Sequence, residues 1–235
     1  MMRAWPARPP DPTRGAMDVA RRRELARQAL GEYDRGPDAT IRAAARALAR
    51  VGDAAAVVLV EGISDQIAVE TAAAGGGRDL AAERVVILPI GGAHAIGRFL
   101  TRLAPLGVRL VGLCDRREEE IVRRGLAAAG IGAPETRADM ERLGFWVCVE
   151  DLEDELIRAV GHAGIEELFA AQGDLRTFRS FQSQPAWRGR DIHAQIYRFI
   201  RSSSVRNLRY ARLLVTAALA HDRLPRPIAG LLAAL

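Results

Sequence analysis

Two kinds of segment alternate along the middle of the chain. Short, nearly continuous apolar runs lie at 55–60, 85–88, 108–114 and 145–149. Longer segments with apolar residues at helical spacing follow them, at about 64–74, 93–104, 117–129 and 152–161. Apolar strands that alternate with helices are typical of a parallel sheet buried on both faces. The pattern predicts an α/β fold, with a parallel sheet of about four strands and helices on both faces.

The two ends of the chain differ from this centre. Residues 1–16 are rich in Pro and Arg and predict a disordered tail, and residues 17–50 predict two helices with a break at Gly36–Thr40. From about 163 the chain becomes basic and helical, with helices predicted at about 191–202 and 205–220 and a last short one after Pro225. The predicted division is a tail (1–16), N-terminal helices (17–50), an α/β domain (54–162) and a basic helical extension (163–235).

Composition narrows the class of protein. All 34 basic residues are arginine, and the formal net charge of +5 permits nucleic-acid binding without establishing it. Cys114 and Cys148 lie inside apolar runs, which favours buried, reduced thiols over a disulfide or a zinc site. No run is long enough to cross a membrane, and the N-terminus has no apolar signal core. We therefore expect a cytoplasmic protein without membrane contact.

Acidic residues follow three of the four predicted strands. Glu61 ends the first, Asp115 ends the third, and the acidic run Glu150–Glu155 follows the fourth. The carboxyl ends of parallel strands meet at one edge of a sheet, where ligands gather. A carboxylate is costly to bury unless it is paired or binds a cation, so this edge is a candidate metal site.

Each acidic feature also has a plainer interpretation. Asp65, at the start of a predicted helix, is either a second ligand beside Glu61 or a helix cap. Glu118 lies close enough to Asp115 to serve as a reserve ligand, whereas Glu119 and Glu120 fit an exposed helix face. Their partners on that face would be Arg123 and Arg124, four residues further on.

Two further features indicate phosphate binding. The pair Gly91-Gly92, between a strand and a helix, can bring backbone amides close to a phosphate, and the nearby His94 is either structural or catalytic. Residues 176–212 contain nine arginines and interleaved aromatic residues that could stack on bases. The alternative is that these arginines cover ordinary helix faces, because the chain has no lysine.

The segments VVLVEGISD, VVILPIGG and LVGLCD together resemble a Toprim domain, a Rossmann-like fold. In detail, VEGISDQIAVE, ILPIGGAHAIGRFL and VEDLEDELI resemble the OLD (overcoming lysogenization defect) family, across residues 54–160. The tail SSVRNLRYARLLV is similar to the end of short bacterial OLD-type Toprim proteins. Full-length OLD proteins carry an ATPase domain ahead of Toprim, and this chain departs from them, with only two short predicted helices there. Because it has no Gly-rich loop ending in Lys-Ser/Thr, we expect a stand-alone Toprim protein without an ATP site.

The resemblance implies a nuclease that cleaves DNA phosphodiester bonds with two Mg²⁺ or Mn²⁺ ions. The metal ligands it implies are Glu61, Asp65, Asp115, Asp151 and Glu153, with Glu118 in reserve. The candidate catalytic residues are Glu61 and Asp115 among these ligands, with Arg117, Arg206 or Arg209 to neutralise charge on the phosphorus. The candidate residues for nucleic-acid binding, from the glycine pair and the Arg-rich region, are Gly91, Gly92, Arg198, Arg201, Arg206 and Arg209.

Two departures from the family pattern bear on this activity. Arg117 replaces the second acid of the Asp-x-Asp motif, and Asn207 stands near the place of a family lysine. The alternative function is therefore a non-catalytic Toprim module that binds nucleic acid and works with a separate ATPase. A phosphoryl hydrolase with Asp115 as nucleophile is a third interpretation. The expected partners are DNA and a separate ATPase, and the sequence is compatible with a homodimer.

Overall fold

The computed structural model describes Tyr33, Gly36 and residues 38–235. The tail predicted at 1–16 and the helix predicted ahead of Gly36 lie outside these residues, so both stay predictions. The second N-terminal helix, expected before residue 50, is the helix Ala39–Leu48.

The predicted parallel sheet of four strands is confirmed. The strands are β1 Ala56–Val60, β2 Val85–Pro89, β3 Arg109–Asp115 and β4 Phe145–Cys148. They pair in the order β2-β1-β3-β4, all parallel, with Val58 opposite Ile87 on one side and Val111 on the other. Because β1 and β3 are neighbours, the residues that follow them are adjacent at the carboxyl edge of the sheet.

Helices cover both faces of this sheet. In the first half they are α1 Ala39–Leu48, α2 Ile63–Gly75, α3 Ile96–Leu103, α4 Glu119–Ala128 and α5 Arg137–Arg142. In the second half they are α6 Leu152–Ala171, α7 Leu175–Gln182, α8 Ile192–Arg201, α9 Ser204–Ala220 and α10 Arg226–Ala233. Short 3₁₀ turns at Val51–Asp53, Ala93–Ala95, Ala104–Leu106 and Arg116–Glu118 complete the connections.

Successive strand residues point to opposite faces, so the sheet separates two apolar clusters. On β1, Val58 and Val60 pack against α2, α6 and α9, whereas Val57 and Leu59 pack against α3, α4 and α5. Every residue of β1 is buried, which explains why this strand reads as a continuous apolar run rather than an alternating one.

Half of the aromatic residues of the Arg-rich region lie inside the protein. Phe178, Phe199 and Tyr210 are almost completely buried, and their rings pack edge-on or tilted around Phe169. These three rings therefore cannot stack on nucleic-acid bases in this structure, whereas Phe181, Trp187 and Tyr197 are only partly buried, so base stacking by that region stays a prediction. Burial of the first three rings contributes about 2 kcal/mol or more each to the core.

The boundary predicted near residue 162 falls at an irregular point in α6. Gly161 has φ of 77° within this helix, a left-handed conformation that favours glycine. Helices on both sides of that break nevertheless share one apolar cluster with the sheet. The division into a Toprim domain and a separate extension stays a prediction.

Two composition-based expectations can be compared with the structure. Cys114 and Cys148 are buried free thiols, as predicted. Across residues 38–235, we find no helix with the length and apolar character that a membrane crossing requires.

Candidate metal centre

Glu61 is held at the carboxyl edge by backbone pairing that continues beyond the strands. The Ile90 amide donates to the Val60 carbonyl at 2.8 Å, and the Gly91 amide donates to the Glu61 carbonyl at 3.0 Å. These two bonds keep the ends of β1 and β2 together. The Glu61 side chain is consequently free to line a cleft of about 480 Å³ above the sheet edge.

Gly62 and Asp65 start helix α2. The backbone of Gly62 is extended, with φ of −144° and ψ of −172°. Its amide donates to the Asp65 Oδ2 atom at 2.8 Å, which makes Asp65 a helix cap. Asp65 also lines the cleft beside Glu61, so the two interpretations of this acid are both compatible with its position.

Asp115 and Glu118 enter the cleft from the end of β3. Asp115 is the last residue of the strand, and the 3₁₀ turn Arg116–Glu118 directs the chain back over the sheet edge. Glu61, Asp115 and Glu118 each present an oxygen within 4.8 Å of the other two. Arg117 stands in place of the second acid of the Asp-x-Asp motif, so a carboxylate is missing at that position. The reserve ligand Glu118 lies where it can supply one.

Burial and mutual repulsion raise the pKa of these acids. The pKa of Asp115 rises to about 8, first because of burial and then because of the charge of Asp65. The pKa of Asp65 also rises to about 8, again through burial first and then the charge of Glu153. Burial is the largest cause of the raised pKa at Glu61 and Glu118 as well. A cation bound among these acids would offset the repulsion between their negative charges and so favour the ionised carboxylates.

Gly91 and Gly92 form the wall of the cleft on the β2 side. Their φ angles of 77° and 110° lie in the left-handed region, where residues with a Cβ are strained. No protein atom other than a Thr40 methyl lies within 4 Å of a Cβ built at either glycine, among the described residues. The pair is therefore required for the shape of the loop, and the backbone there is open to a ligand.

The acidic run after β4 has a different environment. Asp151 caps helix α6 by accepting a hydrogen bond from the Asp154 amide at 2.9 Å, and it also accepts one from the Tyr197 hydroxyl. Arg201 donates to the Asp151 Oδ2 atom at 2.6 Å and lies 3.6 Å from Glu153 Oε2. Asp151 and Glu153 therefore lie close to the cluster, but both are already paired with the positively charged Arg201 side chain.

The arginines predicted to act on nucleic acid are dispersed. Arg117 and Arg198 are exposed, and Arg117 lines a second cleft that adjoins Asp115. Arg206 donates to the Phe199 carbonyl at 2.9 Å, at the end of helix α8, and its guanidinium lies over the Phe199 ring. Arg209 is buried and paired with Asp174. Arg209 thus holds the helices together, a position that does not fit its predicted contact with DNA.

Glu119 and Glu120 pair with arginines one helical turn away, as the plainer interpretation predicted, although only Glu120 is exposed. Glu119 pairs with Arg123, and Glu120 lies 3.7 Å from Arg124, each four residues apart on helix α4. Glu119 also accepts a hydrogen bond from Arg137 at 2.8 Å. These two acids belong to ion pairs of helix α4 and not to the cluster.

The second cleft contains residues that sequence analysis missed. His193 Nε2 lies 2.6 Å from Asp154 Oδ1, and both line this cleft together with Tyr197. Tyr197 and Arg201 lie four residues apart and so share one helix face. This spacing in the sequence indicates that Tyr197 lies beside Arg201. Asn207, which stands near the place of a family lysine, donates its side-chain amide to Glu153 at 3.0 Å, a contact that the sequence does not predict.

The chemistry of the cluster fits a divalent cation. Glu61, Asp115 and Glu118 offer carboxylate oxygens, which Mg²⁺ and Mn²⁺ prefer as ligands. Within residues 38–235, none of the three is salt-bridged to an arginine. They are also open to the cleft, so a bound ion would remain accessible to a substrate.

The segment that forms this edge of the sheet matches a known protein family. Residues 54–116 match the family described as "Overcoming lysogenization defect protein-like, TOPRIM domain". The chain contains an OLD-like Toprim domain. The matched residues include Glu61, Asp65 and Asp115, and they end before Asp151 and Glu153.

Solved structures confirm the Toprim fold. The chain is similar to the C-terminal region of the Burkholderia pseudomallei OLD protein, with a TM-score of 0.54 and 19% identity, over 77% of this chain and 96% of that one. It is also similar to the C-terminal region of the Xanthomonas campestris pv. campestris OLD protein phased with mercury, with a TM-score of 0.54 and 23% identity, over 77% and 94% of the chains. Among proteins with curated descriptions, none matches.

Proposed function

We propose that this Toprim domain is the hydrolytic centre of a divalent-metal-dependent DNA nuclease. The observation that carries the proposal is the cluster of Glu61, Asp115 and Glu118, whose oxygens converge within 4.8 Å at the carboxyl edge of the sheet. Toprim domains typically depend on metal ions and act on nucleic acids, which agrees with this cluster. We also propose that the protein acts in the cytoplasm.

The surroundings of the cluster suit a phosphodiester. A bound Mg²⁺ or Mn²⁺ ion would supply Lewis acidity toward a phosphate oxygen. Gly91 and Gly92 leave the backbone beside the cluster open, so a phosphate can approach it with the Thr40 methyl as the neighbouring side-chain group. Arg117 is exposed at the adjoining cleft, where its guanidinium can neutralise charge that develops on phosphorus.

Plasmid nicking tests the proposal. We expect wild-type protein with Mn²⁺ or Mg²⁺ to convert supercoiled plasmid to the open-circular form, and EDTA to stop it. Glu61→Ala should lower the rate by more than about 100-fold, because loss of a ligand exceeds the cost of losing an outer-shell partner. The matched control is Glu120→Gln, an exposed acid on helix α4 outside the cluster, which should leave the rate unchanged. Equal nicking by wild type and Glu61→Ala would show a contaminating nuclease and overturn the proposal.

A non-catalytic Toprim module is the second candidate. Two observations favour it: Arg117 occupies the place of an acid, and Asp151 and Glu153 are paired with Arg201. Such a module would bind nucleic acid and work with a separate ATPase. DNA bound by both wild type and Glu61→Ala, with no nicking by wild type at saturating Mn²⁺, would favour this function. Homodimer formation belongs to either candidate.

A further inference from the structure

Arg201 is placed among the acids of the proposed metal centre. It is the last residue of helix α8, where the negative end of the helix dipole favours a cation. Its side chain lines both clefts, the one that contains Glu61 and Asp115 and the one that contains Arg117. A permanent positive charge therefore lies at the junction of the two clefts, because a guanidinium does not lose its proton in proteins.

Several contacts hold this guanidinium in place. Its Nη1 atom donates to Asp151 Oδ2 at 2.6 Å and to the Tyr197 hydroxyl oxygen at 2.6 Å, and the guanidinium lies 5.0 Å from the Tyr197 ring centre. Tyr197 itself donates to the same Asp151 oxygen. This triangle fixes Arg201 against helix α6 and leaves the Asp151 Oδ2 atom with two donors.

The second acid of the pair is also engaged. Glu153 Oε2 lies 3.6 Å from Arg201 Nη1, and Glu153 Oε1 accepts a hydrogen bond from the Asn207 amide at 3.0 Å. Asn207 is neutral, so Arg201 provides the charge that faces Glu153. The opposite Oδ1 atom of Asp151 is occupied by the helix cap. Three of the four oxygens of these two acids thus have hydrogen-bond donors, and the fourth faces the guanidinium.

The two groups of acids consequently differ in what they can bind. Glu61, Asp115 and Glu118 converge without an arginine, and a divalent cation would satisfy them. A second cation at Asp151 and Glu153 would have to displace Arg201 and bring two positive charges close together. Arg201 also acts on the first group, because its charge lowers the pKa of Glu61 against the effect of burial.

We propose that this chain uses one divalent ion, at Glu61, Asp115 and Glu118, and that Arg201 occupies the place of a second ion. Arg201 is then a positive charge that the protein itself supplies. It pairs with Asp151 and Glu153 and lines the cleft in which a phosphate would bind. This inference rests on the proposed function, and it changes the two-ion expectation that the family resemblance implied.

Counting bound Mn²⁺ tests the inference without measuring activity. Electron paramagnetic resonance of free Mn²⁺, titrated into metal-free protein, gives the number of ions bound per chain. We expect one ion for wild type and for Arg201→Lys, which keeps the positive charge. Arg201→Ala should bind two, because Asp151 and Glu153 become free to act as ligands. Arg201→Ala combined with Glu153→Gln should return to one.

Controls separate this effect from net charge and from folding. Arg102→Ala removes an exposed arginine at the far end of helix α3 and should bind one ion, as wild type does. If Arg201→Ala does not fold, the anomalous signal of Mn²⁺ in crystals of the wild type decides the question. One peak, with Arg201 still on Asp151, supports the inference.

The outcomes distinguish this inference from the proposed function. Two ions in wild type, or one ion in both wild type and folded Arg201→Ala, would overturn the role of Arg201 and leave the nuclease proposal standing. No bound ion in wild type or in Arg201→Ala would overturn both, because the cluster at Glu61 would then not be a metal site.

Discussion

Asp115 and Asp151 follow neighbouring strands of the same sheet, yet their carboxylates meet different surroundings. Asp151 accepts hydrogen bonds from a helix amide, Tyr197 and Arg201, which are partners for an ionised acid. Asp115 lies among other carboxylates and has a pKa raised to about 8 by burial and by their charges. At the scale of single residues, therefore, the Asp151 carboxylate finds its hydrogen-bond donors within the protein. The Asp115 carboxylate is available to bind a cation.

Replacing Asp115 with Asn should change how stability depends on pH in the absence of metal. Folded Asp115 has a pKa near 8, well above that of the unfolded chain, so between pH 4 and 8 the native state keeps a proton that the unfolded state releases. Raising the pH through this range thus lowers the free energy of unfolding, by up to about 1.4 kcal/mol per pH unit for one such group. Asp115→Asn should flatten this slope in urea unfolding measured in EDTA.

The control for this experiment is Glu150→Gln, which removes an exposed carboxylate at the same edge. It should follow the wild-type slope. Part of the slope should survive in Asp115→Asn, since the pKa of Asp65 is also raised to about 8. A wild-type stability that rises steadily from pH 4 to 8 would contradict the assignment of a raised pKa to Asp115.

At the scale of elements, helix α9 is fixed by a buried ion pair. Arg209 on this helix contacts Asp174, the residue ahead of helix α7, and the Tyr210 hydroxyl donates to the same acid at 3.0 Å. Both charged side chains are almost completely buried. The pair therefore fixes α9 to the turn between α6 and α7, and α9 in turn packs against helix α2, which begins just after Glu61.

Arg209→Ala should destabilise the fold by about 3–5 kcal/mol, because it leaves the charge of Asp174 buried without its partner. Urea unfolding would measure this loss. The matched control, Arg198→Ala, removes an exposed arginine from helix α8 and should change stability by less than about 0.5 kcal/mol. If Arg209→Ala kept wild-type stability but lost DNA binding, the predicted role of Arg209 in nucleic-acid contact would regain support.

The elements that sequence analysis predicted well are those with local signals. Val57–Val60 form a strand because their apolar run is buried on both sides, and the acid that follows had to lie at the sheet edge. The partners of Arg201 and Arg209 lie 50 and 35 residues away in sequence, and no local pattern marks such pairs. The cluster was therefore foreseen in outline, whereas the pairing of Asp151 and Glu153 was not.

At the scale of the whole molecule, the fold brings together acids from positions 61, 115 and 118 with an arginine from position 201. The order β2-β1-β3-β4 makes the first three neighbours, and the C-terminal helices deliver the arginine across the top of the sheet. The apolar cluster shared by the sheet and helices α6 to α10 fixes this arrangement. A cation bound at the cluster would consequently stabilise the protein as a whole.

The stabilisation by Mn²⁺ should increase with pH. Binding requires ionised ligands, and the pKa of Asp115 near 8 means that a cation must displace a proton below that pH. At 100 times its dissociation constant, an ion adds about 2.7 kcal/mol, or roughly 5–10 °C in Tm for a chain of this size. Thermal unfolding at one Mn²⁺ concentration should show a shift of this order at pH 8.5 and a much smaller one at pH 6.

Glu61→Ala serves as the control in these melts, since it lacks one ligand and should show little Mn²⁺-dependent shift at either pH. A shift of equal size at pH 6 and pH 8.5 would mean that the ion binds acids that are already ionised at pH 6. Such a result would move the ion away from Asp115, since a site built on this carboxylate must gain affinity as its proton leaves.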